Sequence, residues 1–149
     1  MFTLSLKSMR RLDTVDKRLQ DVVMTAITRT KVDFGVACGI RTQEYQKQLV
    51  DSGASQTMDS KHLTGHAVDL VAYVGPRVSW EISLYDDIAE AVREACKEQG
   101  VSIRWGAAWN IPNIADWPDT MEAAMNNYID TRRRENRRPF IDGPHFELS

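Results

Sequence analysis

No apolar run in the 149-residue sequence approaches the roughly 18 residues that predict a membrane-spanning helix, so we expect no membrane insertion. The apolar residues near the N-terminus are interrupted and are followed by Lys7, Arg10 and Arg11. This pattern lacks the continuous apolar core of a secretory signal peptide. The sequence therefore predicts synthesis as a cytoplasmic product.

Cysteine is also scarce, since the chain contains only Cys38 and Cys96. Two cysteines without a secretory signal indicate reduced thiols rather than a disulfide framework. Free cysteine is among the most buried residue types. We therefore interpret both thiols as packing residues.

An excess of positive charge is missing too. Lysine and arginine number 19 against 21 aspartate and glutamate residues, for a net charge of -2. This balance argues against a nucleic-acid partner. Arginine nevertheless clusters locally, at Arg132, Arg133, Arg134, Arg137 and Arg138. We interpret this arginine cluster as the solvated end of a helix, with attraction to an anionic envelope as the alternative.

A hydrophobic fraction of 42% is sufficient for one core, so residues 1–149 are expected to form a single domain and a monomer. Apolar periodicity predicts helices over 12–29, over 41–50, from Leu84 to a stop at Gly100, and after Pro118. Strands are predicted over 33–38, 66–73, 101–105 and 145–148, with a turn at 74–76. Because these elements do not alternate strictly, we predict an α+β fold with a small central, mainly antiparallel sheet flanked by helices.

Histidine is scarce as well, and its placement is informative. The three histidines lie in two short segments, His62 and His66 in one and His145 in the other. Each segment also contains an aspartate, Asp69 and Asp142 respectively. Two histidines and one carboxylate make the three-ligand set of a catalytic zinc site, in which the remaining position is open to water.

Strand alternation separates the candidates in the first segment. If residues 66–72 are extended, Asp69 shares a face with Ala67 and Val71, whereas His66 points the other way. His62 precedes Gly65, which allows a sharp turn into the strand. We therefore favour His62 and Asp69 as ligands, with His145 as the third and His66 as an alternative.

The remaining acids are candidates for proton transfer. Asp142 precedes His145 across a Gly-Pro turn, so it can approach the same site without binding the metal. We predict that Asp142 is the general base and later the general acid. Glu147 shares a strand face with His145 and is the rival for this role.

These motifs resemble those of a known enzyme group. The elements Ser60-x-His62-x-x-Gly65-x-Ala67-x-Asp69 and Asp142-x-x-His145 are similar to those of the D-alanyl-D-alanine carboxypeptidase/dipeptidase zinc peptidases. The whole chain looks most like the phage endolysins of that group, the L-alanyl-D-glutamate peptidases. Two more elements match, Gly39-Ile40-Arg41-Thr42 and the aromatic loop 105–110, although Ala108 stands where many relatives carry an acid.

The resemblance implies zinc as cofactor, with His62, Asp69 and His145 as its ligands and Asp142 as catalytic acid/base. It also implies substrate-binding roles for Arg41 and Ser60. Arg41 would bind a carboxylate or the oxyanion, and Ser60 would contact substrate or brace the ligand loop. A guanidinium suits its task because it stays charged and offers forked donors.

The function expected from the resemblance is hydrolysis of the L-alanyl-D-glutamate bond in the peptidoglycan stem peptide, leading to host cell lysis. The protein would accumulate in the host cytoplasm and reach the wall after membrane permeabilisation. We expect residues 1–149 to be a zinc peptidase catalytic domain without a separate cell-wall-binding domain. The alternatives are a D-Ala-D-Ala carboxypeptidase or dipeptidase and a non-catalytic wall-binding module.

Overall fold

The computed structural model describes all residues, 1–149. Its helices are α1 (Leu6–Leu12), α2 (Lys17–Arg29), α3 (Gln43–Asp51), α4 (Ile82–Gln99) and α5 (Met121–Arg134). Its strands are β1 (Asp33–Cys38), β2 (Ala67–Val74), β3 (Arg77–Ser79), β4 (Ile103–Trp105) and β5 (His145–Leu148). Two short 3-10 helices lie at Lys61–Thr64 and Ile114–Asp116.

The five strands form one antiparallel sheet. Its order is β1-β2-β5-β4, and the short β3 pairs with β2. In the pairing of β2 with β5, Asp69 lies opposite His145, and in the pairing of β1 with β2 it lies opposite Cys38. The register therefore places residues that are far apart in sequence side by side on three adjacent strands.

Helices α2 and α4 pack against each other, and α4 also contacts β2. The apolar face of α2 is almost fully buried and consists of Leu19, Val22, Val23, Ala26 and Ile27. Burying a large aliphatic side chain contributes roughly 1.5–3 kcal/mol. The packing of these helices thus supports one face of the sheet and stabilises the strands that carry the chemically active side chains.

The helix predicted over residues 12–29 is wrong at its start, because α1 and α2 are separate helices. Asp16 caps α2, since its carboxylate accepts a 2.9 Å hydrogen bond from the Arg18 backbone N–H. The Asp16 backbone N–H is directed instead to the carbonyl of Gly65, at 2.8 Å. The break between the helices therefore supports the loop that enters β2, a tertiary contact that apolar periodicity does not predict.

Other boundaries differ as well: the helix predicted over 41–50 is Gln43–Asp51, the strand predicted over 101–105 is Ile103–Trp105, and the helix predicted from Leu84 begins at Ile82. The turn expected at 74–76 is the tip of a hairpin, and Arg77–Ser79 forms the additional strand β3. The helix expected to open at Pro118 begins at Met121 instead. Thr120 sets this boundary, because its hydroxyl accepts a 3.1 Å hydrogen bond from the backbone N–H of Ala123.

The α+β prediction with a mainly antiparallel sheet is confirmed. The buried apolar side chains form one cluster that includes residues from α1, α2, α4, α5 and four of the strands. None of the helices combines the length and the hydropathy needed to cross a membrane.

Candidate active site

A groove with a volume of about 680 Å³ runs along one side of the molecule. It is lined mainly by polar and charged side chains, including those of His62, His145 and Asp142. One of its walls comes from the loop before the first 3-10 helix, and the opposite wall from α5 and the segment that follows it. This groove contains most of the residues that the sequence singled out.

His62 lies in the first 3-10 helix, and the residues that flank this helix, Ser60 and Gly65, help to form it. The Ser60 hydroxyl accepts a 3.2 Å hydrogen bond from the His62 backbone N–H. Gly65 ends the helix with a φ of 75°, in the left-handed region that favours glycine. The His62 side chain is fully buried, and its Nδ1 lies 2.9 Å from the carbonyl oxygen of Gly39.

The position of that carbonyl depends on a close approach of two backbones. A side chain at Gly39 would collide with the backbone of Arg11 and with the hydroxyl of Thr14. Gly106 allows a similar close approach of two backbone segments on the other side of the site. Its N–H donates to the His145 carbonyl at 2.8 Å, and its carbonyl accepts from the Asp142 N–H at 2.9 Å.

The sheet register brings the three predicted ligands, His62, Asp69 and His145, together. We call them the ligand triad. His62 Nε2 lies 3.1 Å from Asp69 Oδ1 and 3.2 Å from His145 Nδ1. The third edge, from His145 Nδ1 to Asp69 Oδ1, measures 3.3 Å. In a tetrahedral zinc site with ligands at about 2.0–2.1 Å, ligand atoms lie about 3.3–3.4 Å apart.

The second nitrogen of each imidazole already has a partner. His62 Nδ1 faces the Gly39 carbonyl, and His145 Nε2 lies 2.9 Å from Glu147 Oε1. Both partners are acceptors, so in neutral rings these nitrogens carry the protons. The free lone pairs of the two imidazoles then point toward the same place as a carboxylate oxygen of Asp69. These electron-rich atoms repel one another unless a cation lies between them. The residues therefore fit a metal ion.

The pKa shifts of the metal-free triad reflect the same convergence. Burial lowers the pKa of His62, but hydrogen bonds to Asp69 and Cys38 and the negative charge of Asp69 together raise it to about 9. Burial likewise lowers the pKa of His145, and hydrogen bonds to Asp69 and Glu147 raise it overall. Burial raises the pKa of Asp69, yet its hydrogen bonds with both histidines hold it well below the usual range. Without a metal, protons occupy the place that the geometry offers to a cation.

Asp142 lies next to the triad, where its carboxylate could also hold a metal ion together with Asp69 and His145. One of its carboxylate oxygens lies within 4.8 Å of ligand atoms of Asp69 and His145. Burial, and then the negative charge of Asp69, raise the pKa of Asp142. A carboxylate with a raised pKa, close to the ligands and open to the groove, suits proton transfer.

Glu147, the rival for this role, points to a different task. Its carboxylate accepts from His145 Nε2 and also faces Lys61 Nζ at 3.3 Å and Arg104 Nη1 at 3.8 Å. Burial raises the pKa of Glu147, but the hydrogen bonds and positive charges of His145 and Lys61 together lower it overall. Glu147 also lines the groove, and an ionised carboxylate that is hydrogen-bonded to a histidine orients that ring.

Three comparisons with known proteins place the chain in a family. The family model for phage L-alanyl-D-glutamate peptidases matches residues 1–149. The L-alanyl-D-glutamate peptidase of Escherichia phage T5 is 32% identical over 151 residues, which cover 99% of this chain and 98% of the relative. The chain belongs to the phage L-alanyl-D-glutamate peptidase family.

Two more relatives of this peptidase are similar over different lengths. The crystal structure of the L-Ala D-Glu endopeptidase ChiX from Serratia marcescens matches with a TM-score of 0.73 and 34% identity. That match covers 99% of this chain and 90% of the Serratia chain. The L-alanyl-D-glutamate peptidase of a Listeria phage is 39% identical over 71 residues, 48% of this chain and 24% of that protein.

In this family member Arg41 lines the groove, and three of its N–H groups are used within the protein. Its Nη2 donates to Asp69 Oδ2 at 2.8 Å, its Nη1 to Gln46 Oε1 at 3.0 Å, and its Nε faces Cys38 Sγ at 3.2 Å. A guanidinium has five N–H donors, so one on each terminal nitrogen remains for a ligand. Ser60 also lines the groove, although its hydroxyl braces the His62 loop.

The prediction that both cysteines are packing residues holds only for Cys96. That thiol is buried in the core, and burial raises its pKa to about 12. Cys38 lies beside Arg41, His62 and Asp69, because the irregular register at the end of β1 turns it toward the site. Its contact with the site depends on strand pairing, and no local sequence signal indicated it.

The third histidine and the tryptophans are also sorted by the structure. His66 is half exposed and lies 2.6 Å from the Thr64 hydroxyl, so it is not part of the triad. Trp105 is a core residue. Trp109 forms part of the groove wall, where its ring packs against that of His145 with centroids 5.2 Å apart.

The arginine cluster is divided by the groove. Arg132 and Arg137 line it, whereas Arg133, Arg134 and Arg138 do not. Ala108 is fully buried and belongs to the core. The cations that line the groove are thus two members of the cluster, together with Arg41 and Lys61.

Proposed function

We propose that this protein is a zinc-dependent peptidoglycan endopeptidase that hydrolyses the L-alanyl-D-glutamate bond of the stem peptide. Membership of the family and the names of the relatives support the peptidase activity and this bond. The zinc dependence rests on the ligand triad. His62, Asp69 and His145 would hold the ion.

One observation carries the proposal. Three ligand atoms from three separate segments lie 3.1, 3.2 and 3.3 Å apart, and the other nitrogen of each histidine faces an acceptor. Such a set leaves one tetrahedral position open, as catalytic zinc sites do. When bound, zinc would polarise the scissile carbonyl and lower the pKa of a water molecule to about 7.

Asp142 performs the proton transfers in the proposed mechanism. Its carboxylate takes a proton from the attacking water and delivers that proton to the nitrogen of D-glutamate as the bond breaks. The raised pKa of Asp142 favours the second step, because the carboxyl group holds its proton until the amine leaves.

Arg41 supplies fixed positive charge next to the reacting carbonyl. Its Asp69, Gln46 and Cys38 partners orient the guanidinium before substrate arrives. The two remaining N–H groups can bind the oxyanion of the tetrahedral intermediate or a substrate carboxylate. Preorganised donors of this kind stabilise developing charge without reorganisation. Ser60 acts on the same wall, chiefly by holding His62.

Digestion of purified peptidoglycan tests the bond specificity against the alternatives. The zinc-loaded protein should release fragments with new N-terminal D-glutamyl groups, identified by mass spectrometry. Release of D-alanine alone would favour a D-Ala-D-Ala carboxypeptidase or dipeptidase. Binding to the wall without any new termini would favour a non-catalytic module.

The proposed site of action is the cell wall, reached from the host cytoplasm after membrane permeabilisation. The phage origin of two relatives supports this proposal. Cells that express the protein should remain intact until chloroform is added and should then lyse promptly. Cells that express Asp142→Asn should lyse much more slowly. Lysis without permeabilisation would contradict the proposed route.

A further inference from the structure

Gln46 is a polar residue with no exposed surface, although its neighbours on α3 are exposed. A buried amide must find partners for both its oxygen and its nitrogen. Gln46 Oε1 accepts from Arg41 Nη1 at 3.0 Å. Its Nε2 donates to the Thr57 carbonyl at 2.6 Å and to Ser55 Oγ at 2.9 Å.

The two ends of this amide contact two different parts of the groove. The oxygen holds Arg41, which in turn donates to the triad member Asp69. The nitrogen holds the wall segment, which we define as residues 54–60. Six of these seven residues line the groove, and none of the seven lies within a helix or a strand. The wall segment leads directly into the 3-10 helix that carries His62.

We infer that Gln46 is a positioning residue that fixes the substrate-facing wall segment and the Arg41 guanidinium relative to each other. This inference rests on the proposed function, because it assigns Arg41 and the wall segment to substrate binding. An amide is required because one atom must accept from a cation while the other donates to a carbonyl. Leucine and methionine do neither, and glutamate does only the first.

The two connections affect different kinetic constants. Arg41 contacts a triad member, so a change in its orientation alters transition-state stabilisation and lowers kcat. The wall segment contacts substrate away from the reacting bond, so its release weakens binding and raises KM. Substitutions at position 46 can therefore separate the two effects.

Gln46→Glu keeps an acceptor for Arg41 and places a carboxylate oxygen against the Thr57 carbonyl. We expect KM for peptidoglycan fragments to rise about tenfold while kcat changes less than about threefold, as expected for loss of a hydrogen bond outside the reacting centre. Gln46→Met removes both connections, so kcat should also fall about tenfold or more. Gln48→Glu is the matched control, since it makes the same chemical change on the exposed side of α3. It should match the wild type.

Hydrogen exchange of the wall segment provides a readout that does not depend on activity. Exchange within residues 54–60 should accelerate in both Gln46 variants and remain unchanged in Gln48→Glu, with zinc content equal in all proteins. If the wild type were inactive on peptidoglycan, the proposed function would fail, while the exchange data would still test the coupling.

Unchanged exchange in a folded Gln46→Glu protein would overturn the inference, as would equal losses in kcat for the glutamate and methionine variants. Ser55→Ala covers the case in which the Gln46 variants do not fold. It removes one wall contact at a partly exposed position and should raise KM about twofold to threefold without affecting kcat. A kcat effect without a KM effect in this variant would contradict the coupling.

Discussion

The floor and the rim of the groove hold their polar groups in different ways. On the floor, the side chains of His62 and His145 are 0% and 8% exposed, and both nitrogens of each ring face a defined partner. On the rim, Arg137 is 59% exposed, and its ion pair with Glu135 spans 3.7 Å. Buried, fully partnered groups allow one geometry, whereas exposed ones adopt many. Substitutions on the floor should therefore abolish activity, whereas substitutions on the rim should lower activity only slightly.

His145→Ala tests the floor most severely. It removes one ligand and leaves the Glu147 carboxylate without its histidine partner, so zinc binding and turnover should both be abolished. His66→Ala is the control, because it removes a half-exposed histidine outside the triad. Metal analysis and peptidoglycan digestion measure both properties. A His145→Ala protein that retains a full equivalent of zinc would remove this residue from the site.

Asp142→Asn separates metal binding from chemistry. The side chain keeps its size but loses the ability to accept and return a proton. Zinc content should stay at one per chain while kcat falls on the order of 10²-fold or more. Measuring kcat together with metal content decides the matter. Near-normal turnover in this variant would exclude Asp142 as the acid/base group.

Glu147→Gln tests whether this acid acts behind His145. The amide keeps an acceptor for His145 Nε2 but loses the negative charge, so zinc affinity should fall about 10- to 100-fold. Competition with a chelator of known affinity measures this loss. Turnover at saturating zinc should largely recover. A variant that is dead with zinc fully bound, beside an active Asp142→Asn, would reverse the two roles.

The pH dependence of zinc binding tests the buried histidines. The pKa of His62 is raised to about 9 in the metal-free protein, so zinc must displace at least one proton below that pH. Apparent affinity should thus rise with pH, by about tenfold per unit for each proton released, and level off near pH 9. Isothermal titration in buffers of different ionisation enthalpy counts the protons. A flat profile between pH 6 and 8 would show that the triad is already deprotonated.

The smallest effect is expected on the rim. Arg137→Ala should lower kcat/KM on peptidoglycan about twofold to fivefold at low salt and much less at high salt, because exposed charges are screened. Arg133→Ala removes the same charge outside the groove and is the control. Equal losses in the two variants would indicate a general charge effect rather than a contribution from the groove wall.

Some of the site could be predicted from the sequence because the relevant signals are local. Strand alternation separated Asp69 from His66, and the structure places these side chains apart. The glycine before β2 indicated the sharp entry that positions His62. The apolar periodicity of α2 and α4 was enough to predict helices, although the start of α2 depended on the contact between Asp16 and Gly65.

The sequence by itself determined the scarce residue types and their grouping into two motifs, and the resemblance of these motifs to a peptidase family indicated the function. Tertiary structure alone decided which nitrogen of each histidine is free, that Glu147 lies behind His145, and that Cys38 and Gln46 both hold Arg41. The physical reason is range. Periodicity and turn residues report on contacts within a few positions, whereas strand register and backbone packing bring together groups from both ends of the chain.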